Sequence, residues 1–504
     1  MSNILGVSCG FHDAGVAVVS DTGEILFASH SERYSKQKHD ANLCPAILTA
    51  AQSYGKIGTV AYYENHWLKK WRQFRAGQRV DRTLTLRSTL ESQFGKHFDL
   101  LDNLRCGLKS FSHHKSHAAA GFQTSPYDDA TVVVIDAIGE MDTVSIWHAE
   151  YDRKGRAKYK KLWGMKYPQS IGLFYSAFTK RAGLRPLDEE YILMGMAAYG
   201  KPVYEEHILN KYVQAVNPPT FKENLHTGVD EFMPNVDFQD TNQQGYDLAA
   251  SAQNIVENFI YNIMAKARQV GKSRNLVYMG GVALNCSANR NLGRYYGNIW
   301  IMPNPGDAGS ALGAAALAYG KKLHWKDAFL GEEIAGEYPV KPLLDELLTR
   351  KIVGVASGRA EYGPRALGTR SLLADPRGPE IKDKVNEIKR RQKFRPFAPV
   401  ILEEYADEYF KMPHGFKTSP YMQTTAECRK PDDFPAIVHA DGTSRVQTVP
   451  NDGSGIRHLL EAWYELTGCP MLLNTSLNIR GEPMVNDRAD ADRFEKLYNV
   501  KVCS

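Results

Sequence analysis

His113-His114-Lys115-Ser116-His117 opens an alanine-rich stretch of helical composition and sets His113 and His117 four residues apart, on one helix face. That is the spacing at which two imidazoles hold one metal ion. An isolated pair of this kind is more often two histidines satisfied in a core or at a helix surface. Supply weighs the other way. Asp136, at the end of an apolar run, and Asp307, in a glycine-rich turn, can complete a set of two histidines and two aspartates. Nitrogen and oxygen ligands without thiolate suit Fe(II), Mn(II) or Zn(II), with Fe(II) favoured. His12 and Asp13 stand in a turn near the amino terminus, where a base could take the proton of an acceptor hydroxyl. Asp13 is the preferred base and His12 its positioning group, against the plainer reading that Asp13 only makes the turn.

A second set of polar groups lies towards the carboxyl terminus. Glu361-Tyr-Gly-Pro-Arg365-Ala-Leu-Gly-Thr-Arg370-Ser371 puts two arginines among Gly and Pro turns, and Lys393-Phe-Arg395 adds two cations. Asn474-Thr475-Ser476-Leu477-Asn478 offers short polar side chains. Guanidinium forks, an ammonium and hydroxyls suit phosphate or a carboxylate-like anion. A solvated basic face is the alternative, but it would not need Gly and Pro beside the charges. From Arg359 to Arg395 there are 11 Lys or Arg against 5 Asp or Glu, a local excess larger than the +5 of the whole chain.

These residues need elements to hold them. Ile4–Ser20 and Thr131–Ala149 each flank a short turn rich in Gly and Asp with apolar strand formers, which predicts two β-hairpins with polar tips. Their recurrence suggests a duplicated α/β fold with its ligand between the halves. Leu276–Asn285 and Ile299–Ala316 each run from a short apolar strand through a glycine-rich turn into a helix, a place where backbone N–H groups can meet a phosphate. Tight packing is the competing use of such glycines. The pattern degrades between about 321 and 351, around Gly336, Pro339 and Pro342, which places a domain boundary near 340.

Composition is that of a folded globular chain: 504 residues, 43% hydrophobic and 24% charged, which leaves disordered and fibrous classes without support. No apolar run reaches the length of a bilayer span, and no basic leader precedes an apolar core, so no membrane partner is expected and the cytoplasm is the default location. Seven scattered cysteines without a CxxC pair predict reduced thiols.

Together, HDAG, HHKSHAAAG, DAIGE, GGVALN, PNPGDAGSALGAA, EYGPRALGTRSLLADPR, KFRPFAP and NTSLNIRGEP occur in order from about residue 4 to 490. This set resembles the O-carbamoyltransferase family, which includes nodulation-factor, cephamycin and aminoglycoside carbamoyltransferases. The resemblance implies an actin-like (ASKHA-type) duplicated α/β domain over 1–340 and a YrdC-like α/β domain over 341–504. It implies that carbamoyl phosphate and ATP give carbamoyl-AMP in the second part, and that the carbamoyl group passes to a hydroxyl in the first. Under it, His113, His117, Asp136 and Asp307 match metal ligands. Gly280, Gly281 and Asn285, with Gly309 in the following turn, match a nucleotide-binding region. Lys393 and Arg395 match a Lys-x-Arg adenylate motif and Ser476 and Asn478 its Ser and Asn, with Arg365 and Arg370 beside them. Ala137 stands where the family pattern has Gly.

The sequence also departs from the family pattern after Tyr62-Tyr63-Glu64. His66 to Arg87 carries seven Lys or Arg, one acidic residue, and Trp67, Trp71 and Phe74. Trp67, Lys69, Lys70, Trp71, Arg72 and Arg75 could track phosphates and stack on bases. Equally, Trp67, Trp71 and Phe74 could be the buried stripe of an amphipathic helix whose charges face water. Because relatives of this class act in phage DNA modification, 5-hydroxymethylcytosine in DNA, flipped from the duplex, is the favoured acceptor. The alternative is a hydroxyl on a small sugar or antibiotic.

Overall fold

The β-branched runs that the sequence places on either side of polar turns become buried strands. In this computed structural model, which describes residues 2–75, 77, 85–95 and 107–504, they build two compact units. Unit 1 comprises Met1–Ser35, His39–Asn285 and Arg294–Lys326; unit 2 comprises Lys36–Lys38, Cys286–Gly293 and Asp327–Ser504.

Unit 1 holds two five-stranded sheets. In the first, β1 (Asn3–Ser8), β2 (Gly15–Val19) and β3 (Ile25–His30) are antiparallel neighbours, and β4 (Ile57–Tyr62) and β5 (Gly107–Ser110) continue in parallel from β1, giving the order β3-β2-β1-β4-β5. The helix α1 (His66–Arg75) lies between β4 and β5 in the chain, and α2 (His113–Thr124) follows β5. In the second sheet β6 (Asp129–Ile135), β7 (Asp142–Tyr151) and β8 (Ala157–Lys166) are antiparallel neighbours. The long helix α3 (Gln243–Val270) leads into β9 (Asn275–Met279) and β10 (Asn298–Trp300), which add in parallel to β6. The order is β8-β7-β6-β9-β10. Order and strand sense thus repeat, so unit 1 is a mixed α/β fold made twice over, and both expected hairpins are present as β1–β2 and β6–β7.

Central strands are buried on both faces, as parallel neighbours and covering helices require. Val132, Val133, Val134 and Ile135 of β6 are 0% exposed, each worth roughly 1.5–3 kcal/mol of burial. Helices α2 and α4 (Ser310–Tyr319) pack closely: a Cβ on Gly313 would stand 1.8 Å from the Ser116 carbonyl oxygen and 3.1 Å from Ala120 Cβ.

The chain enters unit 2 at Asp327, earlier than the expected boundary near 340. The reason is β11 (Phe329–Ile334), which pairs with β13 (Gly358–Glu361) beyond the charged stretch. Between them lies β12 (Ile352–Ala356), and after them come β14 (Arg370–Ala374), α5 (Pro379–Ile388), β15 (Ala398–Leu402), β16 (Gln447–Val449), β17 (Met471–Ser476) and β18 (Val502–Cys503). Their six-stranded sheet has the order β16-β15-β17-β14-β12-β18. Six of the seven cysteines form no disulfide, and Cys106 lies outside the described residues. Among the described residues no helix is long and apolar enough to cross a membrane.

Candidate functional site

Three short segments converge at the carboxyl ends of the central strands of unit 1. His113 and His117 come from the first turns of α2, Asp136 follows β6, and Asp307 opens the turn before α4. The ligand atoms of all four lie within 4.8 Å of one another, and every residue is buried. His113 Nε2 is 3.0 Å from Asp136 Oδ2 and 3.3 Å from Asp307 Oδ1; His117 Nε2 is 3.5 and 3.3 Å from the same atoms. The far nitrogen of His117 donates to the Pro305 carbonyl at 3.1 Å, which leaves Nε2 as the lone-pair nitrogen of the neutral ring. Asp307 Oδ1 is buried and accepts no hydrogen bond. Two nitrogen and two oxygen atoms aimed at one point, with an orphaned carboxylate oxygen among them, are the donor set a divalent cation fits.

The surroundings hold these groups rigidly. Glu140 Oε1 accepts the backbone N–H of His113 at 2.9 Å and that of Asn65 at 2.6 Å, pinning the starts of α2 and α1 together. Glu64 Oε2 stands 3.8 Å from His113 Nδ1, and the Gly281 N–H lies 3.3 Å from Asp136 Oδ1. Burial would raise the Asp307 carboxyl, but the His113 imidazole beside it brings it down to about 2.

The β1–β2 tip carries the expected pair in a network. Asp13, at φ 53°, receives His12 Nδ1 on Oδ2 at 3.0 Å and His39 Nδ1 on Oδ1 at 2.7 Å. Burial opposes ionisation of Asp13, yet these two imidazoles hold it well below the usual carboxylate range. Burial likewise disfavours charged imidazoles, but the bonds to Asp13 lift His12 to about 9. With Nδ1 of His12 on Asp13, the other ring nitrogen, Nε2, lies outside the pair, and the two groups form one hydrogen-bonded unit.

The glycine-rich turns have packing reasons. A Cβ on Gly280, whose φ is 92°, would stand 2.1 Å from the Ile135 carbonyl oxygen, and one on Gly309 would stand 1.8 Å from that of Asn304. Asn285 exchanges two amide hydrogen bonds with Gln253 of α3, at 3.0 and 3.1 Å. These contacts give all three residues a packing role of their own, and the Gly281 N–H approaches Asp136.

Unit 2 separates the expected anion-site residues. Arg370 is fully buried, and all five of its N–H donors meet backbone carbonyls, those of Asn486, Ser357, Thr369, Glu332 and Gly358, at 2.9–3.2 Å. It braces the fold and has no donor left for a phosphate, which corrects its placement in a ligand site. Lys393 is exposed and faces Asp383 and Glu387 at 3.6 and 3.8 Å. The buried Lys389, just after α5, is the lysine that meets the expected Ser476 and Asn478. Its Nζ donates to the Ser476 carbonyl, to the Asn478 carbonyl at 2.8 Å and to Asn478 Oδ1 at 2.9 Å. Burial, then the Arg391 and Arg395 charges, push its ammonium well below the usual lysine range. Arg395 thus belongs to this neighbourhood, and Arg365 is half-buried in the turn before β14.

Two family models divide the chain between them: one described as the carbamoyltransferase N-terminus matches residues 62–316, and one described as the carbamoyltransferase C-terminus matches 344–502. The chain belongs to the carbamoyltransferase family. An uncharacterized protein of Synechocystis sp. is 32% identical over 98% of this carbamoyltransferase and 94% of its own length. Nodulation protein NolNO of Sinorhizobium fredii is 29% identical over 97% of this chain and 77% of its own. The 3'-hydroxymethylcephem-O-carbamoyltransferase of Amycolatopsis lactamdurans is 27% identical over 95% and 94%. This is an enzyme that transfers carbamoyl groups.

In the carbamoyltransferase, α1 turns its aromatics outward, against the buried-stripe reading, and most of its cations inward, against the phosphate-tracking one. Trp67, Leu68, Trp71 and Phe74 are 46–70% exposed, while Lys70 and Arg72 are buried. Arg72 donates to the Gly139 carbonyl at 2.9 Å, and Lys69 reaches Glu64 at 2.6 Å and the Gly10 carbonyl at 3.2 Å. The cations bind the enzyme's own hairpin tips, so only Arg75, stacked 5.5 Å from the Trp71 ring, remains on the outer face with the aromatics. Residues 76 and 78–84 of the same basic segment lie outside the described residues. His39, Glu64, Glu140 and Lys389 were not singled out from sequence. Lys389 had a signal: Ile381, Val385 and Lys389 share one helical face, and the first two are buried.

Proposed function

We propose that this enzyme is an ATP-dependent O-carbamoyltransferase acting on a small-molecule hydroxyl. The end-to-end similarity to an enzyme whose name states a hydroxymethyl acceptor carries this reading. It replaces 5-hydroxymethylcytosine in DNA as the favoured acceptor, since Lys69, Lys70 and Arg72 are committed inward and do not present a phosphate-tracking surface. Unit 1, with its repeated sheet, is the actin-like transfer domain, and unit 2 the YrdC-like domain.

In unit 2, water cleaves carbamoyl phosphate to carbamate and phosphate, and a carbamate oxygen then bonds to the α-phosphorus of ATP as pyrophosphate leaves, giving carbamoyl-AMP. Arg365, Arg395, Ser476 and Asn478 hold the anions there and offset their repulsion, with Lys389 fixing the Ser476–Asn478 turn through its donors to the Ser476 and Asn478 carbonyls. In unit 1, His113, His117, Asp136 and Asp307 hold a divalent cation, which supplies Lewis acidity towards the carbamoyl donor. His12 in its neutral form, oriented by Asp13, takes the acceptor proton at Nε2 as the hydroxyl oxygen bonds to the carbamoyl carbon and the bond from that carbon to the AMP oxygen breaks.

The test is direct. The enzyme is incubated with carbamoyl phosphate and ATP, alone and with a 3'-hydroxymethylcephem, an aminoglycoside, 5-hydroxymethylcytidine or hydroxymethylcytosine-containing DNA. Pyrophosphate is assayed, and products are resolved by mass. A carbamoylated small molecule is expected; product on DNA alone would restore the nucleic-acid acceptor, and no pyrophosphate at all would remove the adenylate step.

A further inference from the structure

His39 is not part of the chemistry above, yet it is the most constrained ionisable group beside it. Its Nδ1 lies 2.7 Å from Asp13 Oδ1 and its Nε2 lies 2.6 Å from Asp188 Oδ1. Asp13 only accepts, so Nδ1 carries hydrogen, and the two carboxylates flanking the ring favour its protonated form. Its own backbone N–H donates to Glu32 Oε2 at 2.9 Å, and Arg185 secures the other oxygen of Asp188 at 2.9 Å. Side chains along this line are 11–28% exposed, screened from water but open on one side. Asp13, His39 and Leu187, the last adjoining Asp188, all adopt left-handed backbone conformations, with φ of 53°, 57° and 62°. Non-glycine residues take that region at a cost, and three together mark a place where side-chain direction outweighs backbone comfort.

We propose that His39, braced by Asp188, is a positioning residue of the transfer step, which fixes the Asp13 carboxylate and, through it, the ring of His12. The proposal rests on the acid–base role given to His12 above. Asp13 has two oxygens and two histidine partners. Without His39, Oδ1 would be released, the carboxylate could rotate about its own axis, and the bond to His12 Nδ1 would lose its direction. There is an electrostatic part as well. The imidazolium of His39 draws on the same carboxylate that makes His12 basic, so it restrains the basicity of His12 and brings it nearer the pH at which it must accept a proton. The titratable groups facing His39 are Asp13, Asp188, Glu32 and His30, with Arg33 beside the last two; those facing His12 are Asp13, Asp136 and Asp307.

Three substitutions divide the possibilities: His39→Gln keeps a polar side chain without the charge, His39→Lys restores a cation, and Asp188→Asn removes the brace. In His39→Gln the turnover of carbamoyl transfer to a 3'-hydroxymethylcephem is expected to fall about tenfold or more at neutral pH with little change in KM for that acceptor. The acidic limb of the rate profile should move up by about one pH unit. His39→Lys should recover part of the shift, and Asp188→Asn should show the same changes at smaller size. Carbamoyl-phosphate-dependent pyrophosphate release, which belongs to unit 2, should stay within about twofold of wild type. Histidine ring 15N–1H spectra of the full-length protein loaded with zinc give a readout without turnover, in which the His12 titration should rise in His39→Gln. If neither the His12 titration nor the acidic limb moves, His39 does not act through Asp13 and the proposal fails. A wild-type enzyme inert towards carbamoyl phosphate and ATP would count against the proposed function alone, and the ring titration would still decide His39.

Discussion

The Nε2 atoms of His113 and His117 face each other at 3.1 Å across the buried floor of unit 1. Two imidazole nitrogens at that separation share either one proton or one cation, and the flanking Asp136 and Asp307 supply charge for a cation. His117→Ala should lower bound divalent metal from near stoichiometric to below about a tenth, measured by atomic emission, and should abolish transfer while sparing pyrophosphate release. Full metal retention in this variant would show that the four residues are not the binding set.

Lys389 and Lys393 make a discriminating pair, because only one of them meets Ser476 and Asn478. Lys389→Met should cut carbamoyl-phosphate-dependent pyrophosphate release by roughly 100-fold, and Lys393→Met by less than about threefold. The opposite ranking would return the adenylate site to the exposed lysine.

Arg370 should matter for stability. Lysine cannot reach five carbonyls, so Arg370→Lys leaves buried acceptors unsatisfied and should cost about 3–5 kcal/mol in urea denaturation. A variant as stable as wild type would contradict the bracing role.

The charge state of His39 predicts a pH-dependent stability. Burial disfavours the charged ring, but the bonds to Asp13 and Asp188 lift it to about 10, from a usual value of 6.5. Its contribution is therefore fully present below pH 6.5 and is lost as pH rises through 10. The deficit of His39→Gln should be about 2–3 kcal/mol at pH 6, discounted for partial exposure, and should shrink progressively by pH 10. Thermal melts across that range test it; a deficit that grows with pH would refute the imidazolium.

Helix α1 yields an inverted pair of expectations. Phe74→Ser, on the 70% exposed face, should change stability by less than about 0.5 kcal/mol. Arg72→Ala, which strips the Gly139 carbonyl of its donor, should cost about 2–4 kcal/mol. Equal effects would mean the helix sits the other way round.

The fold was legible where strand formers surround polar tips: β1–β2 and β6–β7 followed from residue type alone, and so did the convergence of His113, His117, Asp136 and Asp307. What was not legible depends on facing. Trp67, Trp71 and Phe74 do share a helical face, as their spacing requires, but spacing does not say which face meets the core, and here the internal carbonyl of Gly139 and the carboxylate of Glu64 claim the cations. In the run Lys389-Arg390-Arg391-Gln392-Lys393 charge alone does not rank the side chains; helical phase does. Asp13 was legible beside His12, its neighbour in the chain, but its second histidine partner, His39, is 26 residues away and carried no local signal.

The repeated strand order sets two unlike tips on two like halves: the β1–β2 tip carries His12 and Asp13, and the β6–β7 tip carries Asp136 and Glu140. A symmetric frame thus presents an asymmetric pair of polar edges, so exchanging one tip for a copy of the other would keep the sheet order and lose one of the two sets of side chains.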